Sequence, residues 1–562
     1  MLTILAELMH KYKKSLNQQQ SGHSKAANKS STSTNNNNLT AEKQITAKSS
    51  STFEEILLSF RLTENFQRAL KLDKSDSFLG VIAGLRTIIC LWVTVFHVYY
   101  YSLFALTNTA LVFAKLEQFI LQPVIQACFY VDIFFVISAL LHVSNFLANA
   151  KQLQLIRNGN FLQNFVLFCK IVFYRYLRLT PVMIITLLLS DMLNDFLNMY
   201  SPFYLGPHSG IYCKTNWWYN LLYIHNILDM ENICCSWTWY LACEMQFYIL
   251  FTVLLFIHAK NAKAAKIAFA VLTLGFVAIA WLCNYRNGIT FQIDVIHSTL
   301  SQLYVKSWVR CVPYIVGVAF GWLMHYYRHH HHHRRRHRHH QQNQQYWQRQ
   351  QQQQQQQQQE QLQYEHRLQK QLQQQEQQQQ QVQVQQLEHH AQYSGVESTT
   401  VDLRVSVWRA VFWLFLATIY VFTNFMSYWR STPSWLVAII MSFGKLLFAI
   451  CIGGVILLCA FGHGGYFDAL LSARPFLFMN KFCFSVYMVA PVIVFASFGL
   501  RSEATNFTEV GSGMDFLAII LLSMAGAFLL VLLVELPMQR IANILLRPKS
   551  VHQRVDKSVN SS

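Results

Sequence analysis

The sequence predicts an all-α fold: a polytopic transmembrane helical bundle of about ten spans with disordered cytosolic segments. Three observations carry that expectation. Hydrophobic residues make up 53% of the 562-residue chain and charged residues only 13%, too apolar a balance for an ordinary soluble domain. The apolar residues gather into blocks of about 20, long enough as helices to cross roughly 30 Å of hydrocarbon. Lys and Arg collect on alternate connections between those blocks, as the positive-inside rule describes.

Taken in order, the chain divides into five regions. Residues 1–78 read as a disordered or amphipathic cytosolic region. Within it, 15–50 are rich in Ser, Asn, Gln and Lys with no apolar period, and 53–76 suit a short amphipathic lead-in helix. The apolar start is brief, and Lys11, Lys13 and Lys14 follow it instead of preceding it, so no cleaved signal peptide is expected. Residues 79–327 hold six spans, at about 80–105, 119–147, 165–192, 237–258, 264–283 and 308–327. Residues 328–404 form a His/Arg-rich run and a Gln tract without a core-forming pattern, a low-complexity cytosolic insert. Residues 405–545 hold four more spans, at about 406–428, 434–461, 475–499 and 514–534. Residues 546–562 are a cytosolic tail.

The formal net charge of +18 would suit nucleic acid, but much of it lies on short loops. Lys151, Arg157, Arg175 and Arg178 surround the second-to-third connection, and Lys260, Lys263 and Lys266 fill the fourth-to-fifth. With ten crossings these share one side with the His/Arg insert and with Arg540, Arg547 and Lys549. That side is assigned to the cytosol, together with both termini, and no nucleic-acid partner is expected. The expected location is the endoplasmic reticulum or plasma membrane, with membrane lipids as partners. Asn506-Phe507-Thr508 is a glycosylation sequon on the opposite, lumenal side. Most cysteines lie in apolar blocks and read as small hydrophobes. Cys213, Cys234 and Cys235 share one polar loop, where a disulfide of Cys213 with Cys234 or Cys235 is expected. No zinc spacing is present, and no metal is expected.

Ionisable residues inside spans are costly and mark function. The first span contains Arg86 and, eleven residues on, His97. At 100° per residue they return to within about 20° of one face, about 16 Å apart, with Arg86 near the cytosolic edge and His97 near mid-membrane. The second span brings Asp132 to a similar depth. The fourth opens with Trp237-Thr238-Trp239-Tyr240 and places Glu244 about 12 Å below the lumenal face. A carboxylate beside His97 would keep the imidazole basic and oriented, as a general base requires. The third span begins with Arg175 and Arg178, three apart and so on one helix face. With Arg86 they would form a basic mouth suited to phosphates. The plainer readings are a neutral His97 hydrogen-bonded to a neighbouring helix, an Asp132 in a structural pair, and arginines that merely anchor the helix.

The ordered set Gly84-Leu85-Arg86 with His97, Val131-Asp132-Ile133-Phe134-Phe135-Val136-Ile137-Ser138, Arg175-Tyr176-Leu177-Arg178-Leu179-Thr180-Pro181 and Trp237 to Tyr248 resembles the acyltransferase 3 family. More narrowly, it is similar to that family's animal, nose resistant to fluoxetine-like branch. Gly462-His463-Gly464-Gly465, Phe484 to Pro491 and Glu535-Leu536-Pro537 agree. The resemblance covers residue 78 to about 545, without the insert. It implies a ten-helix membrane acyltransferase that moves an acyl group from acyl-coenzyme A to a lipid, sugar or other hydroxyl or amine acceptor. No tightly bound cofactor is implied; acyl-coenzyme A is a co-substrate. By match to its motifs His97 would be the catalytic histidine; on the residue reading above, Glu244 or Asp132 would orient it. Arg86, Arg175 and Arg178 would serve the donor. Ala490 stands where the family usually has His, Glu244 where the branch has Asp, Ala139 where it has Gly, and Lys445 where it has Arg. The branch also usually carries a Cys-rich domain before the first span, and none is expected here. The alternative is a weakly active or inactive homologue that binds or moves lipids or small hydrophobic molecules.

Overall fold

The computed structural model describes residues 2–12, 52–72, 77–203, 209–292, 299–328 and 400–546, with a few residues between 344 and 353. The segment 15–50, nearly all of the insert before residue 400, and the tail after residue 546 lie outside the described residues. Among the described residues the regular structure is helical, and the isolated bridge between Leu106 and Thr505 is the one extended pairing.

Nine described helices are long and apolar enough to cross a bilayer, and a tenth apolar helix is shorter. We number them in chain order: α1 Phe78–Ala105, α2 Phe129–Ala148, α3 Phe161–Tyr200, α4 Ser236–Lys260, α5 Ala262–Arg286, α6 Ser307–Arg328, α7 Ala410–Tyr428, α8 Ser434–Ala460, α9 Cys483–Gly499 and α10 Glu509–Leu545. The chain is therefore an all-α multi-pass membrane protein.

Four spans differ from the expected bounds; the tenth, expected at 514–534, runs Glu509–Leu545. The second was expected from residue 119, but α2 begins at Phe129. Pro123 opens a separate short helix, Gln122–Ile125. The Gln122 amide also donates to the carbonyls of Leu116, Glu117 and Gln118 at 3.1–3.4 Å, closing the helix before it. α3 runs well beyond 165–192, over 40 residues, or about 60 Å. An Asn160–Gln163 capping box starts it, so the polar residues at its ends stay helical although they lower the local hydropathy. The ninth expected span breaks in two, Arg474–Met479 and α9. At 17 residues, α9 is about 25 Å long and still reaches the lower limit for crossing hydrocarbon.

The helices differ in how much they face lipid. The most apolar windows of α2, α6 and α8 are each 67% buried, whereas that of α5 is 11% buried. α5 is thus peripheral, and α1, α2, α6 and α8 form the interior. Gly84, the glycine before Leu85 and Arg86, is required by packing. A Cβ there would sit 2.2 Å from the Leu471 carbonyl oxygen, so this glycine lets the helix Tyr466–Leu471 lie directly on α1. Trp322 to Leu414 bound a second unit, of which the end of α6 and the first turns of α7 are described.

Before α1 the described chain is helical over residues 2–12, Thr52–Leu58 and Leu62–Leu70. Glu64 on the last of these pairs with Arg540 of α10 at 2.6 Å.

Candidate functional site

α1 carries His97 into a small cavity. Val93 and His97, four residues apart and so on one helix face, form one wall. The remaining wall is largely aromatic: Phe96, Trp237, Trp239, Tyr240, Tyr304 and Tyr487. The Trp-Thr-Trp-Tyr run therefore builds the chamber, supplying three of its rings from the start of α4. Their positions are fixed from behind. The Tyr487 hydroxyl donates to the Trp237 carbonyl, the Trp239 ring lies 4.8 Å from that of Tyr304, and Tyr240 packs 4.6 Å from Phe135. His97 touches the rings of Phe96 and Tyr101 at 6.0 Å each. Among the described residues no hydrogen bond to its imidazole is made.

The two acids expected to orient His97 are both engaged elsewhere. Asp132 accepts from Arg310 Nη1 through both oxygens, at 3.0 and 3.1 Å. The Arg310 guanidinium lies over the Tyr304 and Trp239 rings, 4.2 and 5.2 Å from their centroids, and its Nε donates to the Tyr304 carbonyl at 2.7 Å. Lys445, also buried, adds a second positive charge near Asp132. Glu244 instead accepts from Arg175 and from the Ser138 hydroxyl, both on Oε1. Each acid pairs with a cation, and among the described residues neither bonds His97.

The arginines are also placed differently from the expected basic mouth at the membrane edge. Arg175 lies 14 residues into α3, about 21 Å along its axis, and meets Glu244 well inside the bundle. Its guanidinium stacks over Tyr248 at 4.1 Å. Tyr248 in turn stacks 4.1 Å from His142, a buried second histidine held by Tyr314 at 3.2 Å and Thr252 at 3.1 Å. Arg86 is half-buried and Arg178 is exposed, and among the described residues neither forms an ion pair. Arg86 stands within electrostatic reach of Tyr240, Cys483, Arg178 and Glu244, so the Arg86, Arg178 and Glu244 placements do converge. Tyr240 is the link. Its ring lines the His97 cavity, and its hydroxyl senses Glu244, Arg86 and Arg175.

A further acid belongs to this cluster. Glu535 sits at the end of a π-turn, Val531–Glu535, in α10. It accepts from Ser485 at 2.8 Å and Gln539 at 3.1 Å, within electrostatic reach of Arg178. Three arginines against two carboxylates leave the cluster with one net positive charge. Glu535 carried a sequence signal, an acid in an apolar block next to Pro537, as did Arg310 between Val309 and Cys311. His142, ionisable and inside the second span, carried the same signal, and Ser138 ends the Val131–Ser138 motif; Tyr304, between spans, carried none. Ala490, where the resemblance implies a histidine, is buried among Cys90, Val486, Ala527 and Val531, an apolar contact set outside the cavity wall.

In the core cluster that includes Trp237, Cys213 is joined to Cys234 and Cys235 remains a buried thiol. The three sulfurs lie within 4.8 Å, but two are already bonded to each other. Nearby His225, buried and 3.2 Å from the Thr238 hydroxyl, is driven down to about 4 by desolvation, so it is neutral at pH 7. Asn506 is exposed and accepts from the Thr107 hydroxyl.

Residues 80–532 match the model of a family described as an acyltransferase domain. The chain is 23% identical over 536 residues to the Caenorhabditis elegans protein "nose resistant to fluoxetine protein 6", an alignment covering 90% of this chain and 56% of the relative. The chain thus spans little more than half the length of that relative. No solved structure matches.

Proposed function

Because the chain belongs to the acyltransferase family, we propose that it moves an acyl group from acyl-coenzyme A to a hydroxyl or amine on a lipid, sugar or other small acceptor. The observation that carries this reading is the continuity, through Tyr240, between the His97 cavity and a cluster with net positive charge. Arg86 and Arg178, the two arginines without an ion pair, take the coenzyme A phosphates from the side assigned to the cytosol. The thioester extends past Tyr240 into the aromatic chamber. His97 accepts the proton as the acceptor oxygen or nitrogen attacks the thioester carbonyl, and the departing thiolate takes a proton back from the imidazolium. Since Arg175 and Arg310 hold Glu244 and Asp132, His97 acts without a directly bonded carboxylate. Glu244 serves by fixing Arg175 beneath Tyr240, and Asp132 serves the scaffold.

The protein is placed in the endoplasmic reticulum or plasma membrane with both termini cytosolic, and Asn506 is a glycan site on the other face. In purified protein, His97→Ala should abolish acyl transfer while the melting curve stays unchanged. An unaltered rate would remove the mechanism. Ala490 supports a second reading, a non-catalytic binder or carrier of lipids or small hydrophobic molecules. Thioester hydrolysis by the detergent-solubilised chain separates the two, since the enzyme shows it and the carrier does not.

A further inference from the structure

The helix Leu62–Leu70 has the reverse polarity of a soluble surface helix. Leu62, Phe66 and Leu70, spaced four apart along one stripe, are 40%, 45% and 43% exposed, while Asn65 is fully buried. Apolar side chains face out and a polar one faces in. The inward face is specific: Asn65 Nδ2 donates to the Ser59 carbonyl at 3.1 Å and to the Leu532 carbonyl at 3.3 Å. Leu532 lies 23 residues after Glu509, about 35 Å along α10. For a hydrocarbon layer of roughly 30 Å, that is the margin where α10 passes into the headgroups.

The outward stripe joins a surface whose surroundings are already defined. The Phe66 ring meets Phe528 edge-on at 5.9 Å, and the adjoining Leu529 and Leu533 of α10 are exposed, as side chains facing lipid are. Thr63 and Gln67, one position further round, are exposed and polar. Charged groups lie opposite the stripe: Glu64 holds Arg68 at 2.9 Å and Arg540 at 2.6 Å, and Lys481 donates to the Lys71 carbonyl just past the helix. We propose that this helix lies in the bilayer plane at the face where α10 ends, with Leu62, Phe66 and Leu70 inserted among phospholipid acyl chains and Thr63 and Gln67 in water. The partner is phospholipid and not a second copy, because the stripe extends the lipid-facing side of α10 without a break. The inference does not depend on acyl transfer.

The test is a photoreactive benzoylphenylalanine placed singly at Phe66, Leu70 or Gln67 in the full chain, reconstituted in phosphatidylcholine nanodiscs and read by mass spectrometry after illumination. Phe66 and Leu70 should yield phospholipid adducts several-fold above Gln67, with melting curves matching the unmodified chain. Equal yields at all three positions, or adducts at Phe66 to a second polypeptide in place of lipid, would overturn it.

Discussion

Two arginine–carboxylate pairs lie inside this bundle, and they are built for different ends. Arg310 and Asp132 are 2% and 1% exposed, sealed under aromatic rings with Lys445 behind them. Arg175 and Glu244 are 21% and 5% exposed, Ser138 donates to the same Glu244 oxygen, and Arg86 lies close to the carboxylate. The first pair is closed on itself and neighbours the His97 chamber from outside, through Trp239 and Tyr304. The second opens onto a cluster with spare positive charge. A charge buried with its partner fixes geometry, and a charge left accessible beside one can act on a ligand.

The largest expected effect falls on the closed pair. Arg310→Met should cost about 3–5 kcal/mol of stability by stranding a buried carboxylate. Adding Asp132→Leu should restore most of the loss, with thermal melts in detergent as the measurement. If the double variant is as unstable as the single one, the pair is not closed. Glu244→Gln should leave the fold assembled but weaken the charge-assisted contact to Arg175, worth about 1.5–3 kcal/mol. Acyl transfer would then fall roughly ten- to a hundredfold. A collapse in melting temperature like that of Arg310→Met would erase the distinction between the pairs. Arg178→Gln should raise the half-saturating donor concentration about tenfold with little change in the maximal rate, because it removes binding that ground and transition states share. A selective loss of maximal rate would move Arg178 into the reaction itself. The smallest effect on activity is expected from Asn65→Ala, which removes two buried amide hydrogen bonds at about 1–2 kcal/mol of stability, read as a lowered melting temperature with donor binding unchanged.

Much of the fold was legible because crossing a membrane is a demand on whole blocks of residues, and averaging over about 20 positions reveals it. A level along a helix can be assigned because residues climb it by a fixed rise. Azimuth cannot be assigned that way. Asp132 and Glu244 find their partners 178 and 69 residues away, on helices whose rotation follows from the packing of the whole bundle. The expectation that both acids would face His97 followed from level alone, and level does not choose a direction. The boundary of α3 was missed for a related reason: hydropathy marks where lipid contact ends, whereas hydrogen bonding carries the helix on. Ala490 shows the converse. Its identity was plain in the sequence, but its place against Cys90 and Ala527 became visible only once α1, α9 and α10 were packed.

The π-turn at Val531–Glu535 makes α10 sensitive to a change of length as well as of composition. Each such turn holds one residue more than an α-turn, so it offsets the angular phase of everything after it by about 100°. Deleting one residue of the turn would relax it into ordinary helix and leave Arg540 facing Glu64, because the turn already holds the extra residue. An insertion would have no such outlet and would swing Arg540 about 100° away from Glu64.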